Sequence, residues 1–525
     1  MQASQAPRSR FESLAAMTGI CHVLMLIALD QTVVGTALPR VVAELQGFSL
    51  YQWVASAYLM TNAVMIPIIG RLGDLYGRKP FVLAAVVMFT LASMLCGMSQ
   101  SMWQLVLARG LQGIGGGMLT GAAFASVSDL FPDPMQRVRW QAMMSATFGI
   151  ATAMGPALGG WLTEHLGWRS VFYVNLPVGL LALPVVWKFL PRVVHHDQAD
   201  RTIDWLGAVL LAVSICTLLI TTEQGQHLGF ASPLFWLLMA GSLALIAAFV
   251  HHQLRSKAPI IPPRLFANQA VRQLCTLGLL TGLVMFVLVF YAPLLLQGGF
   301  GFSPKESGLL ITPLLVSITI GSLINGRLVP RLPRPERLIS WGLIGLMAGA
   351  ALLSQLSLST PPLLMSIAFG LCGFSLGFQL PNLTMQIMTA VGRADMGVAS
   401  ALIQTTRMLG SMIGASLAGV IVNVRFMNHA DAALQQAGVD NVAISHLFDT
   451  PQLLVRAQDQ QVLHQLTQPL GIDSSHLLEL ARQGLVSGIH FAFAACLIVI
   501  AVSYVVARRL PPYVPKGSAG SLVAE

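Results

Sequence analysis

Residues 70–80 of the chain, GRLGDLYGRKP, lie between two long apolar runs at residues 51–69 and 81–98. The stretch holds three basic residues and one acid, whereas the two flanking runs carry no charge. Glycines permit a tight reversal of the chain, and clustered basic residues mark the cytoplasmic side of membrane proteins. The stretch therefore predicts a hydrophilic hairpin at the cytoplasmic membrane surface, between two membrane-spanning helices.

The composition of the whole chain predicts the same class of protein. Of its 525 residues, 55% are hydrophobic and only 10% are charged, and the mean hydropathy is +0.71. A soluble protein has about 25% charged residues. A net charge of +9 is compatible with nucleic-acid binding, but the Lys and Arg residues lie in short loops. Such loops orient a membrane protein, so the expected partner is the lipid bilayer and not nucleic acid.

Apolar runs long enough to cross a bilayer recur along the chain, since a spanning helix needs about 20 predominantly apolar residues. We count fourteen, which predicts an all-α membrane protein with fourteen spans. The first run follows Arg8 and Arg10, as in a signal peptide, but its length and Asp30 indicate a retained helix. The runs cover residues 15–38, 51–69, 81–99, 103–126, 139–162, 171–190, 204–222, 233–252, 272–296, 306–326, 338–356, 361–384, 398–424 and 486–507.

The distribution of basic residues predicts the orientation of the chain, with both termini in the cytoplasm. The inner connections then contain Arg71, Arg78, Lys79, Arg137, Arg139, Arg192, Arg201, Arg255, Lys257, Arg264, Arg272, Arg327, Arg331, Arg334, Arg337 and Arg393. The outer connections contain only Arg40, Arg169, Lys305, Arg425, Arg456 and Arg482.

A faint internal repeat predicts the domain organisation. Residues 326–331, GRLVPR, follow the tenth run much as residues 70–75 follow the second. Such a repeat is typical of a membrane protein built from two structurally similar halves in parallel orientation. We therefore expect two six-helix bundles, a two-helix insert and an extracytoplasmic loop. These are residues 1–190 and 272–509 for the bundles, 204–252 for the insert, and about 425–485 for the loop within the second bundle.

Two ionisable residues lie inside apolar runs and are candidates for the functional site. A carboxylate such as Asp30 at membrane depth costs about 2.5–3.5 kcal/mol, so it should face a cavity or a partner. Arg109 cannot lose its proton and must find an anion or carbonyl groups. For both residues a purely structural role in helix packing stays open, and a role in proton transfer is favoured.

Several stretches resemble motifs of the major facilitator superfamily of transporters. Residues 70–80 resemble its loop between spans two and three, and residues 109–117, RGLQGIGGG, resemble its fourth-span motif. Residues 29–39, LDQTVVGTALP, resemble the first span of the fourteen-span drug–proton antiporters, the EmrB/QacA type. Residues 155–160, GPALGG, resemble the antiporter motif of exporters, with Ala151 where the family pattern has Gly.

The resemblance implies a proton-coupled efflux antiporter of a bacterial inner membrane that exports amphipathic, often cationic drugs or biocides by alternating access. A periplasmic adaptor protein is a candidate partner, and no catalytic residue, metal or cofactor is implied. The implied proton-coupling residues are Asp30 and Arg109. The conformational motif is Gly70, Asp74, Gly77, Arg78 and Lys79, and the antiporter motif is Gly155, Pro156, Gly159 and Gly160. Candidate cargo or coupling residues are Gln31, Tyr58, Asn62, Gln112 and Arg407.

Other functions share parts of this pattern. A proton symporter, or an exporter of one specific metabolite, could share the stretch at 70–80 and Arg109, whereas residues 155–160 and fourteen runs favour a drug antiporter. A membrane sensor or scaffold would have no reason to keep Asp30 and Arg109 inside spans. An ATP-driven pump is disfavoured because the chain has no GxxxxGK[ST] loop.

The charge distribution makes a prediction about the loop near residue 457. A cysteine introduced at Ala457 should react with an impermeant thiol reagent applied from outside the cell, because thirteen spans precede it. A cysteine introduced at Lys257 serves as the control and should react only in inverted vesicles. Labelling of the Ala457 variant only in inverted vesicles would overturn the predicted topology.

Overall fold

The computed structural model describes residues 10–45, 50–131, 133–193, 202–228, 232–392, 395–436, 442–448, 451–454, 457–470 and 473–512, and in these residues all regular structure is helical. The α-helices are α1 (Arg10–Leu45), α2 (Tyr51–Tyr76), α3 (Arg78–Met98), α4 (Met102–Leu130), α5 (Pro134–His165), α6 (Ser170–Tyr173), α7 (Asn175–Phe189), α8 (Trp205–Leu228), α9 (Pro233–Arg255), α10 (Gln269–Leu294), α11 (Pro304–Leu328), α12 (Arg337–Leu353), α13 (Pro362–Ala390), α14 (Met396–Gln436), α15 (Val442–Leu447), α16 (Ala457–Thr467) and α17 (Ser474–Arg508).

The predicted apolar runs coincide with these helices, the sixth run being shared by α6 and α7. Among the described residues, eleven helical segments are long and apolar enough to cross a membrane. The other three runs lie on α4, α5 and α12. Helix α12 has only 17 residues, whereas the glycines and polar side chains of α4 and α5 lower their mean hydropathy. Fourteen spans therefore stay a prediction, and the helical class of the fold is confirmed.

Two predicted connections are helical in part. Residues 70–76 continue α2, so only Gly77 interrupts the path from α2 to α3. Its φ of 86° lies in the left-handed region that favours glycine. Helix α14 continues to residue 436 and α17 begins at 474, which shortens the expected loop at 425–485 from both ends. Ala457 begins α16, and its side chain lies outside the described residues.

The buried apolar side chains form separate cores in the first and second parts of the chain. Residues between 16 and 190 supply two adjoining clusters, which include Phe89 and Phe172. Residues between 265 and 510 supply one large cluster, which includes Phe369 and Phe493. Each group of helices therefore buries its apolar faces mainly against its own members.

Close helix contacts join the two groups. Helix α2 approaches α14 at Gly70, where an added Cβ would lie 2.5 Å from the Cβ of Ala401. Helix α5 approaches α11 at Gly149, where an added Cβ would lie 2.5 Å from Thr319 Oγ1. Helix α8 packs beside α2 through Leu211 and neighbouring apolar side chains, with α14 alongside.

The small face of α5 lies against α1. Ala151, Gly155 and Gly159 are buried, and a Cβ added to Gly155 would lie 1.7 Å from Thr32 Oγ1. Gly160 is exposed, and a Cβ added there would meet no atom within 4 Å. Pro156 lies within α5, and its side chain lies outside the described residues. Gly155 therefore allows α5 to contact α1 at Thr32, two residues after Asp30.

This packing predicts different outcomes for two identical substitutions on α5. Gly155→Leu should separate α5 from α1, lower the melting temperature and abolish transport, because its side chain would overlap Thr32. Gly160→Leu is the matched control and should be tolerated, since its side chain enters open space. Thermal unfolding in detergent and transport in vesicles measure both effects. Equal stability and activity of the two variants would contradict the close α1–α5 contact.

Candidate functional site

An ion pair between α1 and α4 occupies the interior of the first group of helices. Arg109 Nη1 donates to Asp30 Oδ2 at 2.6 Å, and both side chains are almost completely buried. A buried carboxylate and a buried guanidinium each lose hydration, so each depends on the other for a counter-charge. Asp30 and Arg109, whose charges the sequence predicts to be costly at membrane depth, therefore lie together.

Two amides complete the coordination of the Asp30 carboxylate. Gln112 Nε2 and Asn175 Nδ2 both donate to Asp30 Oδ1, at 2.8 and 3.1 Å. Asn175 Nδ2 also donates to Ser93 Oγ, and Ser93 in turn donates to the Phe172 carbonyl. The carboxylate thus accepts hydrogen bonds from α4 and α7, and α3 orients the α7 amide.

The Arg109 guanidinium is held by α2 as well as by Asp30. Its Nε donates to the Val54 carbonyl at 3.2 Å, and its Cζ lies 4.3 Å from the centroid of the Tyr58 ring. Its Nη1 also donates to Gln112 Oε1 at 2.7 Å. The aromatic face and the carbonyl oxygens stabilise a cation. If Asp30 were protonated, these groups would be the remaining support of the positive charge.

The other predicted cargo or coupling residues differ in their surroundings. Tyr58 Oη and Asn62 Nδ2 are buried beside Gly116, where the side chains of Asn62 and Gln31 approach the Tyr58 hydroxyl. Gln31 is exposed and makes no contact with the ion pair in the hydrogen bonds that the structure describes. Arg407, in the second group of helices, makes no ion pair or hydrogen bond through its guanidinium with the described residues. The ion pair therefore gathers Tyr58 and Gln112, Gln31 approaches it only through the Tyr58 side chain, and Arg407 lies apart.

A second polar cluster joins α2 to the N-terminus of α14. The Asp74 carboxylate accepts hydrogen bonds from the backbone N–H groups of Gly397 and Val398, at 3.1 and 2.9 Å. These groups belong to the first turn of α14, where the helix dipole favours a negative charge. Arg78 Nη2 also donates to Asp74 Oδ1 at 2.6 Å. We call the contact between Asp74 and the first turn of α14 the latch.

Arg78 connects the latch to the end of α4. It is buried, it pairs with Asp129, and its Nη1 donates to the Ala125 carbonyl at 2.8 Å and to Ser128 Oγ at 3.0 Å. The charged stretch at 70–80, predicted as a hydrophilic hairpin, is helical up to residue 76, and its Asp74 and Arg78 side chains are buried. Both side chains are removed from solvent because each finds partners across helices. Lys79 is half-buried.

A further ion pair supports the segment from which α14 begins. Arg264 Nη2 donates to both carboxylate oxygens of Asp395 at 3.0 Å. Nearby, Asn268 Nδ2 donates to the Ala390 carbonyl at 2.9 Å. Arg264 and Asn268 lie in the connection between α9 and α10, so this connection contacts the segment between α13 and α14. Asp395 lies two residues before the Gly397 N–H group of the latch.

Comparison with known proteins identifies the family. The sequence profile of the Major Facilitator Superfamily matches residues 20–415, which is most of the chain. The chain belongs to the Major Facilitator Superfamily. It is 32% identical over 512 residues to the multidrug transporter protein MdtP of Bacillus subtilis, covering 94% of this chain and 92% of that protein. It is 31% identical over 428 residues to multidrug resistance protein 3 of Bacillus subtilis, covering 81% and 82%.

Solved structures of other superfamily proteins share the fold. The human organic anion transporter MFSD10 matches with a TM-score of 0.62 at 15% identity, over 94% of this chain and all of that one (100%). The proton:xylose symporter XylE matches with a TM-score of 0.56 at 13% identity, over 96% and 97%. This superfamily member is thus a multi-pass membrane protein of a family that transports small molecules.

Sequence reasoning missed several residues of both sites in this superfamily protein. Asn175 is not among the predicted site residues, yet an amide within an apolar run is itself a signal. Ser93 gives a weaker signal, since serine is common in membrane helices. Arg264 was treated only as an orientation charge, and Asp395 and Asp129 were not considered. Their partners lie far away in sequence, so only the fold reveals them.

The latch predicts how the contact between the two groups of helices responds to Asp74→Asn. The amide lacks the charge that accepts two backbone N–H groups, and hydrogen bonds to charged groups contribute about 1.5–3 kcal/mol. A cysteine introduced at Gln141, which is buried beside Met388 of the second group, should then react about tenfold faster with a maleimide in detergent.

Two controls accompany this measurement. Asp431→Asn removes the same charge from an exposed site on α14 and should leave the labelling rate unchanged. Arg264→Gln should accelerate labelling less than Asp74→Asn does, because Arg264 pairs with Asp395 and donates no hydrogen bond to Asp74. Arg255→Gln at an exposed site should have no effect. Equal rates for Asp74→Asn and Asp431→Asn would show that the latch does not hold the two groups together.

Proposed function

We propose that this protein is a proton-coupled antiporter that exports amphipathic, often cationic drugs or biocides across a bacterial inner membrane. Relatives at about the same length are named multidrug transporters, which supports drug efflux as the activity. The observation that carries the proposal of proton coupling is the buried Asp30–Arg109 pair with its amide donors. A carboxyl group is the chemistry that takes up and releases a proton, and here it is tied to a permanent cation.

The proposed architecture is the fourteen-span, EmrB/QacA type of the superfamily. It has six-helix bundles at residues 1–190 and 272–509 and a two-helix insert at 204–252. Both termini are cytoplasmic, and the segment within about 425–485 is extracytoplasmic. The coincidence of the fourteen apolar runs with helices and the separate cores of the two parts support this arrangement. A periplasmic adaptor stays a candidate partner for that segment.

The coupling step follows from the contacts of Asp30. When ionised, Asp30 satisfies Arg109, Gln112 and Asn175 together. Protonation removes its charge, so Arg109 loses its counter-ion in an environment where an uncompensated charge is costly. The helices that hold the pair are therefore more stable in one arrangement when Asp30 is ionised and in another when it is protonated. A cationic cargo can supply the missing interaction with the carboxylate, so proton and cargo compete.

Two helices connect this pair to the latch. Helix α2 carries Val54 and Tyr58 beside Arg109, and it also carries Asp74 near its other end. Helix α4 carries Arg109 and, near its C-terminus, Asp129, which pairs with Arg78. A shift of α2 or α4 at the ion pair is thereby transmitted to the contact with α14. We propose that alternating access uses this connection, with proton entry driving release of cargo outside.

The proton gradient can supply the energy that such a cycle needs. One elementary charge that crosses 100 mV contributes about 2.3 kcal/mol. Because each 1.4 kcal/mol corresponds to a tenfold ratio of concentrations, one proton supports a cargo gradient of roughly fiftyfold. The competing functions are a proton symporter and an exporter of one specific metabolite. Transport assays in proteoliposomes distinguish them by the direction in which cargo moves and by the number of different compounds that are transported.

Asp30→Asn should abolish gradient-driven export. Proteoliposomes with an imposed pH gradient measure this for a cationic and a neutral amphiphilic dye, and we expect the cationic dye to be affected more. Cargo binding by the wild type should vary with pH, since protons compete for the carboxylate, whereas binding by the variant should not. Asp431→Asn, on an exposed face, is the control. Proton-coupled export that persists in Asp30→Asn would assign the coupling to another group.

A double substitution separates a structural role from a coupling role. Asp30→Asn leaves Arg109 buried without its counter-ion and should cost about 3–5 kcal/mol of stability. Asp30→Asn with Arg109→Gln removes both charges and should recover most of that loss, as measured by thermal unfolding. The recovered protein should still lack proton-coupled export. If export returned together with stability, the pair would be structural only.

A further inference from the structure

A cavity in the second group of helices lies apart from the Asp30 site and from the latch. Its volume is about 610 Å³, and it lies among the C-terminal end of α12, the last part of α14, the first half of α17 and the turn that follows α10. The side chains that line it are both polar and apolar. No step of the proposed transport cycle uses this cavity.

The polar wall of the cavity carries more positive than negative charge. Arg425 of α14 and Arg482 of α17 line it together with one acid, Glu479. Arg482 Nη1 lies 4.0 Å from Glu479 Oε2, which is a loose contact. Arg425 Nη1 donates to Ser487 Oγ at 3.4 Å, also a long distance. The two guanidinium groups, which lie on neighbouring helices, are therefore incompletely neutralised.

Two nitrogen atoms in this wall are buried and have no hydrogen-bond partner among the described residues. They are Arg482 Nε and His490 Nε2. Buried polar atoms are normally hydrogen-bonded, so an unpartnered pair beside a cavity indicates a ligand that completes them. The guanidinium nitrogen requires an acceptor, and phosphate oxygens are acceptors that match arginine well.

Apolar side chains also line the cavity. Leu358 and Phe491 are largely exposed, and Val486 and Ala494 continue the apolar lining along α17. The Phe491 ring also lies 4.2 Å from the guanidinium carbon of Arg425. A ligand that fills this space would place an anionic group against the arginines and an apolar chain along α17.

We propose that this cavity binds an acidic phospholipid. The phosphate lies between Arg425 and Arg482, and an acyl chain lies along Leu358 and Phe491. Arginine binds phosphate oxygens through charge-assisted hydrogen bonds, and the apolar lining suits an acyl chain. A free phosphate ion shares the head-group interaction but has no chain for the apolar lining, so the lipid is the expected occupant.

The test measures lipid binding to the full-length purified protein in a neutral detergent. Thermal unfolding and native mass spectrometry are followed during titration with dioleoylphosphatidylglycerol, dioleoylphosphatidylcholine or inorganic phosphate. The acidic lipid should raise the melting temperature and give a stoichiometric adduct at concentrations where the other two do not. Stabilisation by inorganic phosphate alone at equal concentration, or equal binding of both lipids, would overturn the proposal.

Matched variants locate the binding site. Arg425→Gln with Arg482→Gln should weaken binding of the acidic lipid at least tenfold. Arg508→Gln with Arg509→Gln makes the same charge change at the opposite, exposed end of α17 and should leave binding unchanged. If the first variant does not fold, Ser354→Glu places a negative charge in the cavity wall and should cause the same loss. Unchanged binding in the cavity variants, or equal losses in the control, would refute the site.

Discussion

A carboxylate inside an apolar helix must be neutralised or paired, and this requirement organises the first group of helices. Asp30 on α1 is satisfied only if α4 presents Arg109 and Gln112 and α7 presents Asn175 at the same depth. The close approach of α5 to α1 at Gly155 and the support of Arg109 by α2 follow from the same geometry. One charge thus fixes the relative positions of five helices, which is more than apolar packing alone would specify.

The latch uses a different physical device, the partial positive charge at the start of a helix. Asp74 accepts two backbone N–H groups of α14, and Arg78 connects Asp74 to the C-terminal end of α4. Interactions with backbone groups require precise helix placement but no particular side chain on the partner. A contact of this kind can be lost as a unit when α14 moves and re-form when it returns. The pair Arg264–Asp395 lies just before that helix start and joins the connection after α9 to it.

The sequence predicted the helical class, the family and the unusual character of Asp30 and Arg109, because hydropathy, local motifs and the cost of a buried charge are readable along the chain. It did not predict Asn175 as a partner of Asp30 or the pair Arg264–Asp395, since those contacts join residues far apart in sequence. It predicted a hydrophilic hairpin at residues 70–80 but not the burial of the charged side chains there. Charge usually indicates exposure, but Asp74 and Arg78 neutralise each other and bind helix ends, so the fold buries them.

Helix α14 has 41 residues and no proline, so at 1.5 Å per residue it is about 60 Å long, roughly twice the thickness of the bilayer core. One end receives the Asp74 carboxylate and the distal part carries Arg425. Such a helix acts as a lever: if it pivots near the latch as a straight rod, a tilt of about 10° displaces its far end by roughly 10 Å. Small rearrangements at a hydrogen-bonded pivot can therefore become large movements at the far end of α14, without any bending of the helix itself.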